Sequence, residues 1–223
     1  MSKKVLFSTF IILLIAGCAE IQQIGGVILA PETTAPALTE ADVTAGLKEA
    51  LVNGTKKAVG FASSENGYFK NPALFIPFPP EAQKVKDVAL QYGLQGQVDQ
   101  FEMTLNRAAE KAAPEATAVF VNAITQMTVA DAFGILNGGE HSATNYLKEK
   151  TTPVLISKFK PHVSQAIESV ELTKYWNPLI SKYNIATMIT GGQEINPDLD
   201  MYVTEKGVDG LFVHIASEEA LIR

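Results

Sequence analysis

QVDQFEMTLNRAAEKAAPEATAVFVNAITQM, residues 97–127, carries the clearest pattern in the chain. Val98, Phe101, Leu105, Ala108 and Ala112 recur at three-four spacing, which places them on one face of a helix. Pro114 lacks an amide hydrogen and so breaks or kinks that helix. Ala116, Val119, Phe120, Ala123, Ile124 and Met127 then resume the spacing. The alanines between Ala108 and Ala118 leave room for another helix to come close.

The same period extends in both directions. Upstream, Thr39 and Asp42 have the spacing of a capping box. Val43, Leu47, Ala50, Leu51, Ala58 and Phe61 follow on one face, and Gly60 with Ser63-Ser64 marks the end. Downstream, Thr128 and Asp131 form a second capping pair before a short helix that stops at Asn137-Gly138-Gly139. Leu147, Thr151, Leu155, Phe159, Val163 and Ile167 repeat every four residues over 142–170. Pro153 and Pro161 interrupt that run, which predicts kinks or two consecutive helices. Asn177-Pro178 and Asn196-Pro197 open the last two helical regions. Residues 67–80 differ: Tyr68, Phe69, Phe75, Ile76 and Phe78 are β-prone, and Asn71-Pro72 is a turn signal. A short extended, β-hairpin-like insertion is expected there, with Pro79 or Pro80 opening a helix to about Tyr92. The expected fold is all-α: a single multi-helix domain with kinked helices and that one insertion.

The N-terminus predicts location. Lys3 and Lys4 precede an apolar run, Val5 to Ile15, broken only by Ser8 and Thr9. This run is too short to cross a bilayer, which takes about 20 residues, and has the layout of an export signal. Ile15-Ala16-Gly17-Cys18 resembles a lipobox. Cys18 is the sole cysteine, so an internal disulfide is excluded and lipidation gives it a role. The expected organisation is a lipoprotein signal peptide at 1–17, a lipidated tether at 18–37 and a helical domain at 38–223. Ala19 resembles the residue that follows the cysteine in outer-membrane lipoproteins, so a lipid-anchored, periplasm-facing protein of the outer membrane is expected. Cleavage before Cys18 leaves 16 bases against 24 acids. That balance disfavours nucleic acid, whose binding rests on neutralising phosphates. It also leaves the lipid, not a basic patch, to hold the chain to its membrane.

Asn106-Arg107-Ala108-Ala109-Glu110-Lys111-Ala112-Ala113-Pro114, Met127-Thr128-Val129-Ala130-Asp131-Ala132, Ile135-Leu136-Asn137-Gly138, Ala143-Thr144-Asn145-Tyr146, Tyr202-Val203-Thr204, Asp209-Gly210-Leu211-Phe212 and Ile76-Pro77-Phe78-Pro79 occur in order. Together they resemble the bacterial family catalogued as domain of unknown function 4197, over roughly Leu38 to Arg223. The resemblance implies an exported, often lipid-anchored, mostly helical protein without an assigned activity. Members of that family run on past the segment matching Glu218 to Arg223.

The common catalytic signatures are missing: no G-x-S-x-G, no H-E-x-x-H, no G-x-x-x-x-G-K-[ST]. Asp198-Leu199-Asp200 begins like a calcium loop, but lacks the glycine and glutamate such a loop needs at its sixth and twelfth positions. His214 and Glu218, one helical turn apart, are weak metal candidates that would need Glu219 or Glu140-His141 to complete a site. Asn106, Arg107 and Glu110 share one helix face and, with Asp131, form the candidate polar patch. There Arg107 either clamps an anionic group or makes a structural ion pair with Glu110. Glu218 and Glu219 are adjacent, point to different sides of a helix and do not read as an acid pair for glycan cleavage. The expected function is non-enzymatic binding of an envelope partner protein or an apolar ligand, with no cofactor. The alternatives are an envelope hydrolase acting on cell-wall glycan or peptide, and a periplasmic lipid carrier.

Overall fold

The computed structural model describes residues 37–222 apart from 170–172, 192–193 and 196–197. The expectations for the signal peptide, for Cys18 and for the tether up to residue 36 lie outside the described residues. The described helices are α1 (Glu40–Ala62), α2 (Gln83–Gln91), α3 (Gln95–Ala112), α4 (Ala116–Thr125), α5 (Val129–Leu136), α6 (Ser142–Ser169), α7 (Thr173–Thr190) and α8 (Leu199–Ile222).

Both capping boxes form. The Thr39 hydroxyl accepts from the Asp42 amide and Asp42 accepts from the Thr39 amide; Thr128 and Asp131 repeat the arrangement at α5. Pro114 sits in a one-turn 3-10 segment, Ala113–Glu115, that joins α3 to α4. Of the two outcomes expected at Pro153 and Pro161, kinks or two consecutive helices, the second is not found: α6 runs through both prolines as one element. Each proline forfeits a backbone bond. The helix is held regardless by Leu147, Leu155, Phe159 and Val163, all fully buried. α7 begins four residues before the expected Asn177 start. α8 begins at Leu199, where Asp198 accepts from the Met201 amide at 2.9 Å.

α6 and α8 pack together and on α3, while α1 packs on α4, α5 and α8. The alanine run serves the purpose its size suggested. Ala108, Ala109, Ala112, Ala113 and Ala116 are completely buried, and α8 meets α3 where Gly207 faces Ala109. A Cβ on Gly207 would lie 3.3 Å from that of Ala109, and one on Gly210 would lie 2.7 Å from the Tyr68 ring. Glycine costs a helix interior roughly 1 kcal/mol against alanine; here it admits two aromatic neighbours, Tyr68 and Phe159.

The β-hairpin-like insertion is not found. No strand occurs among the described residues, and 63–79 is a run of turns and extended chain. The apolar residues do turn inward as a strand's would: Tyr68, Leu74, Ile76 and Phe78 are buried. Their backbone partners, however, are side chains of α3 instead of a second strand. Glu110 Oε1 accepts from the amides of Tyr68 and Phe69, each at 3.1 Å. Asn106 accepts from the Ile76 amide at 2.8 Å and donates to the Ile76 carbonyl at 2.9 Å, as a neighbouring strand would. Glu102 accepts from the Phe78 amide. The expected turn at Asn71 is present, with Leu74 and Phe75 both donating to its carbonyl. Gly67 is required, since a Cβ there would lie 2.5 Å from two carbonyl oxygens at the end of α1.

Candidate functional site

The four residues of the expected polar patch separate into two places. Asn106, Arg107 and Glu110 stay together on α3 and hold the 63–79 segment. Asn106 is fully buried, and its amide also donates to the Glu102 carbonyl. Arg107 donates to Glu110 at 2.5 Å, to Asn66 at 3.0 Å and to Glu65 at 3.3 Å, and its guanidinium lies 5.6 Å from the Phe69 ring centre. The guanidinium is therefore directed at groups of this chain rather than opened toward an anion. The Tyr68 hydroxyl donates to the Gly207 carbonyl at 2.6 Å. Burial, followed by the nearby charge of Glu110, pushes its pKa far up, so it remains a donor throughout the physiological range.

Asp131 lies elsewhere, at one end of a groove between α4, α5 and α6. Glu115, at the start of α4, meets His162 in the second half of α6 at 3.6 Å, whereas Gln126 and Tyr146 share the groove, so α4 and α6 run antiparallel. The groove encloses about 750 Å³. α4 presents Ala118, Val119, Asn122, Ala123 and Gln126; α6 presents Tyr146, Lys150, Thr151 and Val154. On each side these positions cover nine residues, with Gln126 just past the end of α4, or about 12 Å. The volume falls in the range of roughly 300–1,000 Å³ typical of ligand sites. At its end Tyr146 sits beside Asp131, and Lys150 lies 5.8 Å from the Tyr146 ring centre. Hydrogen bonds from the Thr128 hydroxyl and amide hold the Asp131 carboxyl below the ordinary aspartate value. Desolvation, then the charge of Asp131, raises the Tyr146 phenol.

The sign of the Asp131 shift predicts a pH window. A carboxyl depressed in the folded state contributes stability above its unfolded pKa and loses it as pH falls through the folded one. The α5 cap should therefore persist down past pH 3.8, the ordinary aspartate value. A carboxyl NMR titration should place the Asp131 midpoint below that of an unstructured aspartate. A midpoint at or above it would contradict the cap.

A family model described as "Protein of unknown function (DUF4197)" matches residues 37–223. The chain belongs to this family. No curated protein and no solved structure matches it. In this DUF4197 domain the segments that carry the resemblance bond to one another. Asn106 pairs with Ile76, Tyr202 donates to the Pro77 carbonyl at 3.2 Å, and Asp131 and Tyr146 line one groove. Asn106 and Tyr202 thus join distant parts of the fold.

The metal candidates do not converge. The His214 ring packs on Phe61 at 4.3 Å, with its Nδ1 buried and without a hydrogen bond. Glu218 is bound by Lys57 at 2.8 Å. Among the described residues no three His, Cys, Asp or Glu side chains come together as a metal site. Asp200, of the calcium-like run, bonds to Ser164.

Glu219 is a residue the sequence left without a role of its own. It is 5% exposed and sits at the N-terminus of α6. There it accepts from the amides of Ala143 and Thr144, at 3.0 and 2.9 Å, and from the Thr144 hydroxyl at 2.7 Å. Beside it a crevice of about 310 Å³ opens between Leu47, Leu51, Ile135, Leu136 and Ile222. Each of these two cavities contains one carboxylate, and each carboxylate is hydrogen-bonded as a helix cap.

Proposed function

We propose that this chain is a lipid-anchored envelope protein, held through Cys18, whose helical domain binds a segment of a partner protein in the α4–α5–α6 groove without catalysing a reaction. The groove itself carries this reading. It is an open trough about 12 Å long, with apolar walls from Val119, Ala123 and Val154. The polar groups at its margin, Asn122, Gln126, Tyr146 and Lys150, offer both donors and acceptors, as a peptide backbone requires. An acyl chain would favour an enclosed apolar cavity over such a margin. A glycan hydrolase would use two carboxylates facing one bond, and the groove is lined by Asp131 alone.

Site-specific photocrosslinking in cells tests the proposal. A photoreactive residue at Asn122 should yield a discrete heavier species that is absent when the probe stands at Lys84, on α2. Val154→Arg, in the groove wall, should abolish that species while the melting temperature stays the same. The same species from Lys84, or none from Asn122, would overturn the reading.

A further inference from the structure

α7 combines an acid-free sequence with an exposed apolar stripe. Its 18 residues include Lys174 and Lys182 but no Asp or Glu, in a protein with 24 acids and 18 bases. One side faces inward: Ile180 is fully buried and Thr187 is 6% exposed. Asn184 ties the helix to the segment before α8, accepting from the Ile195 amide at 2.8 Å and donating to its carbonyl at 2.9 Å. The other side presents Ile185, Met188 and Ile189, exposed by 58%, 75% and 83%. Spaced by three and four residues, they form one stripe, with exposed Lys182 a turn before it. Single exposed apolar residues are ordinary; a contiguous stripe of large ones marks a contact surface.

We propose that this stripe rests on a phospholipid surface. Ile185, Met188 and Ile189 enter the boundary between headgroups and acyl chains, and Lys182 reaches the phosphates. The proposal rests on the reading of Cys18 as the lipid anchor. Two observations select a bilayer as the occupant. α7 lacks the acids that lipid phosphates would repel, and an apolar stripe with a lysine beside it matches a headgroup boundary. The 19 residues Ala19 to Ala37 also span at most about 68 Å, so an anchored domain stays near the surface. Tethering turns the contact into an intramolecular one at an effective concentration on the order of mM, so three side chains suffice where a free helix would need more. Repulsion of the acidic remainder then leaves α7 as the side turned to the membrane.

The test uses the full lipidated chain in vesicles of phosphatidylethanolamine and phosphatidylglycerol. An environment-sensitive fluorophore is attached through Met188→Cys and, separately, through Lys84→Cys. Lipids brominated in their acyl chains should quench the first label at least about threefold more than the second, as expected for side chains at the acyl boundary. Adding Ile185→Ser and Ile189→Ser to the Met188→Cys chain should remove the difference. A lipidated chain quenched equally at both positions overturns the α7 contact, as does a label at 188 that reports self-association in detergent without lipid. The mass of the same preparation reports acyl groups on Cys18. An unlipidated chain would therefore overturn the anchor reading separately.

Discussion

Glu110→Ala is expected to cost about 3–5 kcal/mol, the range for removing one partner of a buried ion pair. Glu110 is 6% exposed and serves three donors: the amides of Tyr68 and Phe69 on one oxygen, and Arg107 on the other. An alanine leaves those amides without a partner at about 1–3 kcal/mol for a fully buried group. It also strands Arg107, although that side chain is 32% exposed and water reaches it. Domains of this size have roughly 5–15 kcal/mol in total, so the loss should be visible as a large fall in the urea midpoint. Glu110→Gln keeps an acceptor oxygen and should lose less than half as much. Arg107→Ala should lose less than Glu110→Ala, because the carboxylate keeps the amides of Tyr68 and Phe69 as donors and water reaches the vacated side. A Glu110→Ala loss below about 1 kcal/mol would mean that the 63–79 segment holds without α3.

Glu219→Ala is expected to cost about 2–4 kcal/mol, combining a lost helix cap with buried amides left unpaired. Its carboxylate closes the N-terminus of α6, where the helix dipole favours a negative charge. The change should appear first at the amides of Ala143 and Thr144, whose hydrogen exchange should accelerate more than that of residues in the middle of α6. If those two amides exchange as before, the carboxylate is not their partner in solution. Glu218→Ala is the control: its link to Lys57 spans a lysine 66% exposed, and such pairs contribute about 0–1 kcal/mol.

The two adjacent glutamates mark how far sequence reading reaches. Their adjacency told that they face different sides of α8. It did not tell which one is buried, because the deciding donors lie 75 and 76 residues away in α6. The 63–79 segment repeats the lesson. Its apolar residues were legible as β-prone, and Asn106, Arg107 and Glu110 were legible as a cluster. That cluster and segment are partners 30 to 42 residues apart. β-prone residues announce an extended backbone needing hydrogen bonds; they do not say whether a strand or helix side chains will supply them. Asp131 stood with the α3 residues in the candidate polar patch. Its own capping signal, Thr128 three residues earlier, was the better guide to its position.

The helical period, both capping boxes, the break at Pro114, the close-packing role of the alanines and the family were all legible in the residues alone. All of these depend on residues within a turn or two of each other, or on ordered motifs. Only the tertiary structure decided that α6 continues through its prolines and that Asn106 and Glu110 substitute for a strand. It alone assigned Glu219 to the α6 terminus and left the α7 stripe facing outward. Each of those outcomes turns on which distant group satisfies a buried backbone or covers an apolar face, and that depends on how the helices pack, which local spacing does not encode.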